Sequence, residues 1–309
     1  MRSLSSANIL TTVTDDQDRL TRFLLPHAGV RGVHVHLRQT WRQIRERAEY
    51  PPAVSELLGE AAVASALFTG HAKVEGRLSV QLRGEGPLRA LFAECTAAGT
   101  LRGIAQIGGD AGPFMRDLRG LGGGAVLAIT IENPSPHGRD PARYQGLVPI
   151  ESEALAGAFE DYFRQSEQLP TRLLLAVDEE RAAGLMLQKL PGDHGDDDGW
   201  ARATALFDTL GAEELLAVTG PTLLTRLFHE EEARVLAERP LSFACSCSRE
   251  RVGAVLQSLG LEEARAALQE GVAEIHCEFC GQQYRFDPDE IDALFASSGL
   301  HAVSSDRLQ

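Results

Sequence analysis

No apolar run in this chain approaches the roughly 20 residues needed to cross a bilayer, so a membrane span is not expected. The opening stretch, MRSLSSANILTTVTDDQDRL, turns polar and acidic after a few apolar residues and does not read as a secretory signal. A cytoplasmic protein with reduced thiols is the expectation, and a disulfide framework is the wrong first reading of its cysteines. Cationic surplus is lacking too. The net charge of -14 would repel nucleic acid unless one basic patch stood apart. Enzyme signatures are missing: there is no G-x-S-x-G, no H-E-x-x-H and no convincing acid pair. GLGGGAV (120–126) lacks the Gly-Lys-Ser/Thr ending of a phosphate loop. The expectation is a protein that is not an enzyme.

Cysteine is also nearly absent, but only at first. Cys95 stands alone in the first 244 residues and reads as a buried core thiol; the other four lie in the last 65. Cys245 and Cys247 form a C-x-C, and Cys277 and Cys280 a C-x-x-C followed by Gly281. In a reducing compartment such a set reads as metal binding or redox chemistry. Four thiolates around one Zn²⁺ make a closed tetrahedral site, and its binding energy becomes folding energy in a small unit. The first pair and the 29 residues between Cys247 and Cys277 depart from an ordinary zinc ribbon. A permanent staple and an oxidisable switch both fit this spacing, because metal-bound thiolate is the reactive form of the sulfur. His276, beside Cys277, reads as a strand residue and not as a substitute ligand, because four thiolates already fill a tetrahedron. His34 and His36 share one face of a strand, expected to be solvated.

The first 190 residues read as mixed α and β. Segments 32–38, 76–82, 125–131 and 171–177 read as strands, while 52–68 and 152–169 read as helices. Strand and helix do not alternate regularly, so the fold class is α+β, with an antiparallel sheet. LPGDHGDDDGW (190–200) reads as a solvated acidic linker, and 200–218 and 220–238 as two amphipathic helices. These helices form either a small subdomain or a mobile element docked on the first domain. In the last 69 residues, Ser248 caps a helix that Gly260 ends, and Asp287–Pro288–Asp289–Glu290 starts another. The expected organisation is an amino-terminal domain at 1–189, a helical linker at 190–240 and a zinc-binding unit at 241–309.

A zinc-dependent adaptor for nucleic acid or protein is disfavoured, because 271–309 carries only Arg285 and Arg307 as basic residues. A thiol oxidoreductase is disfavoured because Cys277 and Cys280 sit between two short strands instead of in a βαβ unit. FACSCSRERV together with IHCEFCGQQYRF resembles the zinc module of the heat-shock protein 33 family of redox-regulated chaperones. YPPAVSELLGE, GRLSVQLRGEGPLRALFAEC, YQGLVPIE, YFRQSEQLPT and AAGLMLQKLPG resemble that family's earlier segments, in order.

The resemblance implies an ATP-independent holdase. Cys245, Cys247, Cys277 and Cys280 would hold one Zn²⁺ per chain in the reduced, inactive form. Oxidation would pair Cys245 with Cys247 and Cys277 with Cys280, release the zinc and unfold the linker. The apolar surface so exposed would bind unfolding client proteins. The active form would be a homodimer that hands clients to ATP-driven foldases, with no nucleic-acid or membrane partner.

Overall fold

The computed structural model describes residues 18–108, 116–122, 124–135, 141–192, 194–269 and 271–302. Most of the opening stretch read above, 1–17, lies outside them.

The chain begins with β1 (Arg19–Leu25) and β2 (Val30–Leu37), then α1 (Gln39–Arg45) and α2 (Pro52–His71). Three strands follow, β3 (Arg77–Arg83), β4 (Leu88–Thr96) and β5 (Thr100–Ile107). After them come β6 (Val126–Asn133), β7 (Ala142–Pro149), α3 (Leu155–Ser166), β8 (Thr171–Val177) and β9 (Ala182–Lys189). Proline at the start of α2 matches the missing intrahelical partner of a first-turn N–H. Small apolar residues lie all round α2, so no face of it suits water, and it is buried between two sheets.

With β10 at Arg234–Pro240 and β11 at Ser242–Phe243, one sheet has the order β10-β1-β2-β9-β8 and the other β11-β5-β4-β3-β6-β7; all pairings but β11–β5 are antiparallel. The α+β expectation holds. Val33, Val35 and Leu37 face α2 and the main core, as the alternation in β2 predicts.

The other face of β2 is not solvated, contrary to expectation. His34 and His36 are only 1% and 8% exposed, because three helices lie over them. These are α4 (Gly199–Phe207), α5 (Ala212–Ala217) and α6 (Gly220–Phe228). His36 Nε2 lies 3.1 Å from the Leu216 carbonyl oxygen. A second core joins Phe23, Leu25, Val30, Leu185 and Leu187 of the sheet to Phe207, Leu215, Leu223, Leu227 and Phe228 of the helices. The linker helices therefore dock through the apolar faces read from sequence.

The predicted helix over 220–238 stops early. A short 3-10 turn follows α6, and β10 (Arg234–Pro240) is the edge strand of the first sheet. Its residues pair antiparallel with β1, which overrides the helical spacing of a mostly exposed segment. The acidic run is not wholly solvated. Arg202 of α4 pairs with Asp196, Asp198 and the buried Glu231.

Burial, with a smaller contribution from His36, pushes His34 down to about 3, against about 6.5 for a free histidine. The unfolded or undocked state therefore binds a proton that the docked state refuses. The stability that rests on a neutral, buried His34 is full above about pH 6.5 and falls by up to about 1.4 kcal/mol per unit below it, down to about pH 3. Thr21 and Gly220 also face this ring, and neither offers a countercharge. Acidifying the reduced protein from pH 7 to 5 is expected to speed hydrogen exchange in 199–228. His34→Leu should flatten that dependence, with metal content followed as a control.

Candidate metal centre

Beyond β10 the chain makes β11 (Ser242–Phe243), α7 (Arg249–Leu259), α8 (Leu261–Ala266) and β12 (Leu268–Gln269). It ends with β13 (Val272–His276), β14 (Gln283–Phe286) and α9 (Pro288–Ala302). Ser248 Oγ accepts from the Arg251 N–H at the start of α7, as predicted. Asp287 and Glu290 form a reciprocal capping box: Glu290 N–H donates to Asp287 Oδ1 at 2.8 Å, and Asp287 N–H to Glu290 Oε2 at 3.0 Å. The unit's buried core is small, made of Leu256, Ala264, Ala273, Phe286 and Ile291. Val255 and Leu259 of α7 are apolar yet exposed, because so small a unit cannot cover the whole stripe.

Four cysteines gather beside this thin core. Cys245 and Cys247 lie in the irregular chain between β11 and α7, while Cys277 and Cys280 lie in the turn between β13 and β14. The N–H groups of Cys280 and Gly281 both donate to the Cys277 carbonyl. Gly281 has φ 71°, a left-handed conformation that a side chain would strain. The sulfurs converge: Cys245 to Cys277 is 3.6 Å, Cys247 to Cys280 is 3.4 Å, and all four lie within 4.8 Å of one another. Four thiolates about 2.3 Å from a zinc ion would be about 3.8 Å apart, so the set fits a tetrahedral metal. Among the described residues it is the one group of three or more ligating side chains that could hold a metal ion. His276 is not part of it, and Cys95 is buried in the main core.

The thiols are not equivalent. Burial raises Cys247, but the Tyr284 hydroxyl, donating to its Sγ at 3.1 Å, and the neighbouring sulfurs outweigh that and bring it down to about 7. Burial and the neighbouring sulfurs push Cys280 up to about 12, and burial is the main reason that Cys245 is raised. One thiolate forms readily, while Cys245 and Cys280 resist, through burial first and the neighbouring sulfurs second. A divalent cation removes that resistance by supplying opposite charge.

The unit docks on the first domain through residues that the sequence reading passed over. Arg47, just past α1, donates to the Cys280 carbonyl at 3.1 Å and stacks on Phe243. Phe279, inside the C-x-x-C, packs edge-on against Phe92 with ring centroids 5.5 Å apart. Arg102 lies 4.5 Å from the Phe279 ring and pairs with the buried Glu94. Burial opposes the Arg102 charge, but Glu94, and then Cys245, hold its pKa above the ordinary value. An aromatic between two ligands is the only sequence signal for this contact; Arg47 and Arg102 carry none.

The fold and site define a two-sheet protein with a docked helical segment and a four-cysteine unit. A model of the Hsp33 protein family matches residues 18–287. The 33 kDa chaperonin of Ectopseudomonas mendocina is 45% identical over 301 residues, covering 93% of this chain and 98% of that protein. The 33 kDa chaperonin of Nitrosococcus oceani is 40% identical over 294 residues, covering 95% and 99%. The crystal structure of a Thermotoga maritima 33 kDa chaperonin has the same fold, with a TM-score of 0.75 at 22% identity over 92% of this chain and 99% of that one. The chain belongs to the Hsp33 family, which is a family of chaperones and not of enzymes. Among the described residues no helix is long and apolar enough to cross a membrane.

Proposed function

We propose that this chain is an ATP-independent holdase, held inactive by one Zn²⁺ on Cys245, Cys247, Cys277 and Cys280 and activated by oxidation. When bound, zinc keeps four sulfurs deprotonated and ties the unit at 241–309 into one fold. Two peroxide molecules take two electrons each from the thiolates. The products are a Cys245–Cys247 disulfide, a Cys277–Cys280 disulfide and four waters, with uptake of four protons. Paired sulfurs no longer hold the ion, and the unit loses its staple. The linker at 190–240 then separates from the domain at 1–189. Unfolding clients bind the apolar face so bared, in a cytoplasmic homodimer that passes them to ATP-driven foldases after reduction.

The observation that carries this reading is the position of the second core. Among the described residues, a sheet face bearing Phe23, Leu25, Val30, Leu185 and Leu187 is covered by the segment that leads, through β10 and β11, straight into Cys245. Shifting such a cover from about 99% closed to 99% open takes roughly 5.5 kcal/mol, within reach of a lost metal site worth about 10–16 kcal/mol.

The test is to treat reduced, purified protein with peroxide at elevated temperature. Zinc release is read with a chromogenic chelator, and suppression of aggregation with a heat-unfolded test protein. Release of one zinc per chain together with suppression, reversed by dithiothreitol, is expected. Retained zinc, or release without suppression, would overturn the proposal.

A further inference from the structure

β10 and β11 are one continuous strap across the edges of both sheets. β10 pairs with β1 from Arg19 opposite Pro240 to Leu24 opposite Arg234, with a bulge between Arg22 and Phe23. The strap then crosses to the second sheet. Leu241 N–H donates to the Asp18 carbonyl, Ser242 N–H to that of Gly99 and Ala244 N–H to that of Leu101. Cys245 is the next residue, so the strap's carboxy-terminal end is anchored by the four-cysteine site.

The attachment of β10 is unusual for a sheet strand, because six of its seven residues are exposed. Val235 and Leu236 are 49% and 56% exposed. Glu238 contributes side-chain bonds, to Arg19 Nη1 at 2.9 Å and Thr21 Oγ1 at 3.5 Å. What holds the strand is chiefly its main-chain ladder to β1. Such a site reads backbone, which every polypeptide has, and little of side-chain sequence.

From this we infer that the β1 edge is a client-binding site, occupied in the closed protein by β10 and taken in the open protein by an extended segment of an unfolded polypeptide, added antiparallel as a new edge strand. The inference rests on the linker being releasable, as proposed above. Main-chain bonds supply attachment, and alternate side chains supply the rest. A residue in the register of Val235 falls on the Phe23 side of the sheet, the face that departure of α4, α5 and α6 uncovers. The open protein thus presents an unpaired ladder beside an apolar surface, and one extended chain engages both.

A second copy of β1 suits this edge less well. Arg19–Leu25 carries Arg19 and Arg22 and no acidic residue, so self-pairing brings like charges together. β10 answers that charge with Glu238. Segments with an acidic or neutral residue near Arg19 are favoured for the same reason.

The experiment uses the full-length, peroxide-activated protein and follows amide hydrogen exchange with and without a reduced, carboxymethylated test protein. Oxidation should expose the amides of 234–243 and those of β1 that face β10. Adding the unfolded protein should slow β1 exchange by about tenfold or more while 234–243 stays fast. A synthetic peptide spanning 233–241 should lower aggregation suppression several-fold, and its twin N-methylated at alternate residues should not. Client held with suppression intact while β1 stays unprotected overturns the edge site and leaves the holdase reading standing. Protection of β1 by raising the oxidised protein's own concentration makes a second copy the occupant and overturns it as well. If oxidation exposes nothing in 190–243 and no suppression appears, both readings fail together.

Discussion

Cys247→Ser should yield a chain that binds no stoichiometric metal, has lost ordered structure in 241–302, and suppresses aggregation without oxidant. The magnitude is large because the unit's own core is five buried side chains, while a four-thiolate zinc site contributes about 10–16 kcal/mol of folding free energy. Cys247 is the informative choice. It is the thiol with the lowered pKa, set by Tyr284, and so the first sulfur available to a metal near neutral pH. Metal content by mass spectrometry under native conditions, circular dichroism and the aggregation assay read the three consequences separately. A variant that keeps one metal per chain and stays inactive would contradict the assignment of Cys247 as a ligand.

Phe228→Ala should open the linker while the metal stays in place. Phe228 is fully buried in the second core, stacked on Phe23 with centroids 6.0 Å apart and rings inclined at 27°. Truncating such a side chain costs about 3–5 kcal/mol, comparable to the roughly 5.5 kcal/mol that separates a closed population from an open one. The expected result is partial holdase activity in the reduced, zinc-loaded protein, with fast hydrogen exchange in 199–240 and unchanged exchange in α2. If activity still requires peroxide at the wild-type dose, the helices over the second core are not what holds the protein inactive. Together the two variants separate the staple from the cover: one loses the metal and opens, the other opens and keeps the metal.

The four-cysteine cluster was legible because its chemistry is local. Two short cysteine pairs, a glycine after the second and capping residues on either side announce the unit without any long-range information, and all of them occupy the expected places. The main core was legible through the alternation in β2 and β3 and the all-round apolar character of α2.

What escaped depends on distant partners. His34 and His36 look solvated because a polar face on a strand normally meets water; only the return of the chain 180 residues later covers them, as the His36–Leu216 contact shows. β9 went unnamed because both its faces are buried, which erases the period-two signal. The strand in 234–240 was hidden by apolar spacing that suits a helix. Only the free edge of β1, set by tertiary topology, decides the matter. Arg47 and Arg102 touch the metal unit from the first domain, and nothing in their neighbourhoods announces it.

The strap has one more consequence. On the proposed release, β10 and the three helices over the second core would stay tethered to β9 through a short connection at 190–198. A tethered competitor is present at an effective concentration in the millimolar range, whatever the concentration of protein in the cell. While the ends of the strap are loose, its hold on β1 is weak and a client wins. On the proposed mechanism, once the four sulfurs again fixed residue 245 the same segment would return to β1, and client release would be an intramolecular displacement, in which the clients' collective affinity would count for less than the state of four sulfur atoms.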